Sequence, residues 1–226
     1  MFSFIKRLKE KGEKMVSKLE EKLTKNKFVI TSEVGPGKGT NLKFLEEVEI
    51  LRGKVDALNV TDLQSSVMRL GSLAVSHLLI ENGFEPIFQI TCRDRNRLAL
   101  QSDLLSAYVL GIRNVLCLTG DHTTLGDHPD SKPVFDLDSV SLLKAASGLI
   151  EGKDLAGNQL DGNPEFFLGG VVSPCYEPIE LQIIKMEKKI EAGAKFFQTQ
   201  AVYDINIFEK FIKMTENYNV PVICGI

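Results

Sequence analysis

NVLCLTGD, residues Asn114 to Asp121, decides how the chain folds. Its Val, Leu and Cys run on with no polar alternation and stop at Thr119-Gly120-Asp121. A strand with one wet face alternates. A short continuous apolar run belongs to a strand covered on both faces, which is the habit of parallel sheets flanked by helices.

Similar runs lie on either side: FVITSEV (28–34), VDALNVT (55–61), EPIFQITC (85–92), FFLGGVVS (166–173), AKFFQTQAV (194–202) and VPVICGI (220–226). Between them come segments with helical periodicity, such as SVMRLGSLAVSHLLIENG (66–83) and PIELQIIKMEKKIEAGA (178–194). Gly53, Gly83, Gly111 and Gly193 stand where helix C-caps belong. The strands recur about every 26 to 30 residues, with one longer gap after the fourth, which is the length of a βα unit. An open doubly wound sheet and a (β/α)₈ barrel both fit this spacing. Seven units can be counted and the sequence stops at the seventh strand, so the barrel reading lacks its eighth βα unit. The domain is expected to cover residues 28–226 and to be incomplete at its C-terminal end.

Composition narrows the function. The 226 residues carry a formal charge of −3, with 43% hydrophobic and 25% charged residues, as in an ordinary globular domain. Mild acidity gives no reason to expect nucleic acid as a partner. No apolar stretch is long enough for a membrane span. Residues 1–27 read as a separate amphipathic helix, with Phe4, Leu8, Met15, Leu19 and Leu23 on one side and a solvated Lys/Glu face on the other. Charges interrupt any secretory signal there. Cys92, Cys117, Cys175 and Cys224 form no CxxC pair and read as buried free thiols of a cytoplasmic protein.

The candidate chemistry gathers at strand ends, which line one mouth of a barrel: Glu33, Thr61 and Asp62, Gln89 and Thr91, Asp121, Ser173 and Gln200. The glycine-rich TSEVGPGKGT (31–40) matches neither the dinucleotide fingerprint nor the P-loop. It reads as a loop before a helix capped by Thr40 or Asn41. Glu33, a carboxyl at the end of an apolar strand, risks desolvation and suits a general acid. The long connection 120–138 contains Asp121, His122, Asp127, His128 and Asp130. A loop of this length tends to fold over a ligand, and these side chains are better read as solvated or capping groups than as metal ligands. Lys185, Lys188 and Lys189 share one helix face, either as plain surface or as a holder for a pyrophosphate.

In these residues the chain resembles the methylenetetrahydrofolate reductases from about residue 28 onward. The carriers are Ser32-Glu33, Asn59-Val60-Thr61, Thr91-Cys92, Leu118-Thr119-Gly120-Asp121, Lys188 to Ala194, Phe197-Gln198-Thr199-Gln200 and Tyr203-Asp204, each at its proper βα position. The CLTGDH form and the long loop after it look most like the versions in acetogen-type bacteria. The resemblance implies the TIM (β/α)₈ barrel, and a flavin-dependent reduction of 5,10-methylenetetrahydrofolate to 5-methyltetrahydrofolate. It implies Glu33 and Asp121 as catalytic residues, with Asp121 and Gln200 on the folate. It implies flavin contacts from Thr61, Gln89, Gly120, Phe135, Asp136, Gln182, Lys185, Lys188 and Lys189. Gln89, Thr119 and Phe135 depart from the family's usual His, Arg and Tyr, so FMN stands as the alternative to FAD. The implied electron donor is NADH, NADPH or a partner subunit, and an oligomer is expected. A pterin-binding methyltransferase barrel and a non-catalytic subunit of a folate-reductase complex are the competing readings.

Overall fold

In the computed structural model, residues 16–226 are described. The expectations for Phe4, Leu8 and Met15 lie outside them. The elements alternate as the spacing implies. The strands are β1 (Thr31–Val34), β2 (Ala57–Val60), β3 (Pro86–Thr91), β4 (Asn114–Leu118), β5 (Phe167–Val172), β6 (Phe196–Thr199) and β7 (Val222–Ile223). The helices are α1 (Lys18–Thr24), α2 (Phe44–Glu49), α3 (Ser72–Glu81), α4 (Arg97–Val109), α5 (Ser139–Ile150), α6 (Ile179–Glu191) and α7 (Ile205–Thr215).

The seven strands form one sheet in chain order, each neighbouring pair parallel. A doubly wound sheet reverses its strand order partway, whereas a barrel wall runs straight through, so this order selects the barrel type. Side chains show that the wall curls. Gln198 on β6 donates from Nε2 to Asn59 Oδ1 on β2 at 2.6 Å. In a flat sheet strands four steps apart would stand roughly 19 Å from each other, at about 4.8 Å per step.

Alternate residues face the inside of the arc, where Ala57, Ile87, Leu116, Phe167 and Phe196 pack with Leu19 and Leu23 of α1. Helix α1 thus plugs the floor of the barrel on the same core. The reason is its Leu19/Leu23 stripe, with Leu19 wholly buried. Gly169 makes room for this layer, because a Cβ there would lie 2.3 Å from the Phe196 ring, which stacks on Phe167 at 4.7 Å. The opposite strand faces, with Phe88, Ile90, Val115, Leu168 and Phe197, pack against α4, α5 and α6 in the main outer core.

Helix caps follow local chemistry. Asn96 and Asp138 accept first-turn amides, from Leu98 and Ala99 and from Ser141 respectively. Gly53, Gly83, Gly111 and Gly193 all take positive φ at helix ends. Two details differ from the expectations. Neither Thr40 nor Asn41 caps α2; Asn41 turns back to accept the Lys43 amide, and the helix begins at Phe44. Cys92 and Cys117 are buried, but Cys175 is exposed and Cys224 half-buried, because both lie in connections beyond the strand cores.

Candidate active site

At the carboxyl ends of the strands lies a cavity of about 780 Å³. Glu33 from β1, Thr61 beyond β2, Gln89 on β3, Gly120 and Asp121 beyond β4, Gln182, Lys185, Lys188 and Lys189 of α6, and Gln200 beyond β6 all line it. The first-strand glutamate and the fourth-strand aspartate therefore share one mouth. Phe135 and Asp136 do not line this cavity. They border an adjoining hollow that begins at Thr119, Gly120 and Asp138. There Asp136 is held by the Arg97 guanidinium at 2.8 and 2.9 Å, which lowers its carboxyl pKa to about 2.

Each strand end is set by its neighbours. Gly120 has φ +92°, and a Cβ on it would meet Thr91 Cβ at 3.0 Å and Arg93 Cβ at 3.2 Å. Glycine thus lets the end of β4 close on the end of β3. Arg93, almost fully buried, ties that junction together. Its Nη1 donates to Asp121 O at 3.4 Å and its Nη2 to Leu63 O at 3.2 Å. Glu33 is exposed to the cavity and accepts Gln64 Nε2 at 3.1 Å.

The desolvated strand-end carboxylate is not Glu33 but Asp62, whose side chain has no exposure. Asp62 Oδ2 accepts Thr91 N and Oγ1, each at 2.9 Å, and Arg95 Nη1 at 2.7 Å. Its Oδ1 accepts Arg95 Nη2 at 3.2 Å and Ser72 Oγ at 3.3 Å. Arg95 also meets Asp103 at 2.9 Å. Asp62 stood among the strand-end residues of the sequence, but nothing in its spacing named Arg95, thirty-three positions on, as its partner.

The lysines divide. Lys189 donates from Nζ to Val171 O at 2.6 Å, and burial, reinforced by nearby Lys185, lowers its pKa. Lys185 and Lys188 are exposed at the cavity wall. Two outward ammonium groups, with the Gln89 and Gln182 amides and the Thr61 hydroxyl around the same space, form a donor set that fits a flavin nucleotide: cations for phosphate and neutral donors for a ring edge. Cys117 also lines the cavity, its thiol pKa pushed up by burial.

Of the loop groups expected to be solvated or capping, His122 does cap the next 3₁₀ turn, accepting the Thr124 amide at 3.3 Å, whereas Asp127 is engaged by other segments. Asp127 pairs with Lys38, accepts His128 Nδ1 at 2.8 Å and accepts the Met68 amide at 3.0 Å. Those hydrogen bonds, Lys38 first, lower its pKa. Among the described residues no group of three or more His, Cys, Asp or Glu side chains converges as a metal site would require.

A curled parallel wall with carboxylate, amide and ammonium groups gathered at its carboxyl ends defines a TIM-barrel-type protein with a mouth built for a polar ligand. The sequence identifies which branch. Residues 18–226 match the family model for methylenetetrahydrofolate reductase, and the chain belongs to that family. It is 27% identical over 173 residues to a probable methylenetetrahydrofolate reductase (NADPH) of Caenorhabditis elegans, covering 76% of this chain and 24% of that protein. With a 5,10-methylenetetrahydrofolate reductase of Pectobacterium carotovorum it shares 29% identity over 129 residues, 57% of this chain and 38% of the relative. The chain thus spans about a quarter to two fifths of the length of these relatives. In fold it is similar to a Clostridium thermocellum protein described as binding two copies of 5-methyl-5,6,7,8-tetrahydrofolic acid. The TM-score is 0.61 at 18% identity, over 91% of this chain and 68% of that one. A 2,3-dimethylmalate lyase is as close in shape, with TM-score 0.61 at 12% identity over 92% and 70% of the two chains.

Proposed function

We propose that this chain carries the catalytic barrel of a flavin-dependent reductase that converts 5,10-methylenetetrahydrofolate to 5-methyltetrahydrofolate. The observation that supports it most is that Glu33, Asp121 and Gln200 line one cavity with Lys185 and Lys188, in a chain of this family. Lys185 and Lys188 would hold the flavin's phosphates, and Thr61, Gln89 and Gln182 its polar edges. The hollow beside Phe135 and Asp136 has room for the adenylate of FAD, which FMN lacks. A bound flavin supplies the reducing equivalents. The residues prepare the folate. Glu33 gives its proton to N10 as the bond from N10 to the bridging carbon breaks, leaving a cation centred on N5. The Asp121 carboxylate faces that cation and stabilises it. The Gln200 amide, a donor and an acceptor together, matches the pterin edge.

The electron donor on this reading is NADH or NADPH, with a partner subunit as the alternative. Anaerobic bleaching of the flavin by either nucleotide alone selects the first. The test of the whole reading is the purified protein's spectrum, followed by Glu33→Gln. The variant should still accept electrons into its flavin but lose folate reduction by about 100-fold or more, the scale of a general acid. A correctly folded protein that takes up no flavin, or equal loss of both half-reactions, would end it.

A further inference from the structure

Beyond β2 the chain makes a 3₁₀ turn, Gln64–Ser66, in an unusual conformation. Leu63, Ser65 and Ser66 have φ of 49°, 56° and 59°, and none is glycine. Non-glycine residues resist this left-handed region, and clusters of them persist only where the surroundings hold them there. The surroundings here do so from three sides. Buried Arg93 donates to Leu63 O, as above. The 120–138 loop presses on the turn at Gly126, where a Cβ would lie 1.7 Å from Ser66 O. Just downstream, Met68 N–H reaches Asp127, Arg69 Nη1 reaches Pro36 O at 3.2 Å, and Leu70 N reaches Gly37 O at 2.9 Å. The turn is thereby stitched to both the glycine loop after Glu33 and the loop after Asp121. From this turn Gln64 reaches the candidate acid, its Nε2 donating to Glu33 Oε1.

We propose that Gln64 is a positioning residue that fixes the Glu33 carboxyl by engaging one oxygen and leaving the other for the substrate. This rests on the reading of Glu33 as the proton donor. The inference predicts that the donor, and not the bulk, matters. Gln64→Met keeps a side chain of similar length without a donor, and Gln64→Ala removes both; neither sets a new charge beside Glu33. In the flavin-loaded protein, the folate half-reaction followed by stopped flow should fall about ten-fold in both variants. Flavin absorbance, flavin reduction by the donor, and the affinity for 5-methyltetrahydrofolate by calorimetry should stay at wild-type values, so the loss shows in kcat and not in KM. If Gln64→Met equals wild type while Ala does not, Gln64 only fills space and the inference is overturned. It is also overturned if both variants keep wild-type rates while Glu33→Gln is inactive. If Glu33→Gln itself keeps full folate reduction, the proton-donor assignment has failed and the positioning role goes with it.

Discussion

The buried carboxylate at the end of β2 is the sharpest test of how the mouth is held. Asp62→Asn keeps the shape of the side chain and removes its charge. Three donors converge on Oδ2, from Thr91 N, Thr91 Oγ1 and Arg95 Nη1. Two more, from Arg95 Nη2 and Ser72 Oγ, reach Oδ1. Whichever way the amide turns, its NH₂ faces donors it cannot accept, and Arg95 loses a bidentate partner. Breaking a buried pair by removing one charge costs about 3–5 kcal/mol. The lower end applies here, because Arg95 is 21% exposed and keeps Asp103. For a domain of this size about 3 kcal/mol corresponds to a fall in Tm of roughly 6–12 °C. Thermal unfolding followed by circular dichroism measures it. Arg95→Met should also destabilise, and the double variant should lose less than the sum, since it leaves neither charge unpaired. A Tm within about 2 °C of wild type for Asp62→Asn, or strict additivity in the cycle, would refute the view that this pair fixes the β2–β3 junction.

Two further outcomes follow from the packing and the charges. Leu19→Ala should cost about 2–5 kcal/mol in chemical denaturation, because the side chain is wholly buried in the barrel floor; a loss under about 1 kcal/mol would show that α1 is not part of the core. Asp136 should titrate at about 2 in wild type by carboxyl NMR and rise in Arg97→Ala, short of the ordinary carboxylate value because the residue-97 amide still donates to it at 2.8 Å. Since its native pKa is depressed, whatever it contributes to stability is present above about 4 and is lost as pH falls toward 2, and an unmoved midpoint in the variant would dismiss the pairing.

Much of this was legible in the sequence, for a physical reason. Central strands such as β3, β4 and β5, buried on both faces, are apolar almost throughout, so their runs stand out, and the polar residues that stop them name the mouth; β1 itself is Thr31–Val34, and the apolar Phe28 and Ile30 before it are exposed. Strand order and curl were not legible, because runs such as Asn114–Leu118 look the same in a doubly wound sheet; only pairings such as Gln198 to Asn59 decide. Glu33 and Asp121 could be picked by position, yet the property first attached to Glu33, burial, belongs to Asp62. Desolvation depends on what loops bring overhead, and Arg95, Thr91 and Ser72 come from other segments. Gln64 left no signal at all, since a short polar turn after a strand is unremarkable until its φ values and its partner are seen.

The polar groups of the barrel sort by saturation, and that sorting separates scaffold from site. Deep in the wall, Gln198 is spent on Asn59, and Asn59 on Thr31 at 3.2 Å. Asp62 is saturated by five donors, and Lys189 is committed to the Val171 carbonyl. Such groups have nothing left to offer a ligand, and removing one leaves its partners unsatisfied, so their substitution should register first as lost stability. Among the described residues, the side chains of Asp121, Gln200, Lys185 and Lys188 carry no hydrogen bond within the chain, although all four line the same cavity as the saturated set. A ligand that meets them gains contacts without breaking any internal one. Their replacement should therefore leave unfolding nearly unchanged and weaken binding or turnover. Glu33 lies between the two classes, with one oxygen engaged by Gln64 and the other open to the cavity, the arrangement a group needs if it is to be both held in place and able to give up a proton.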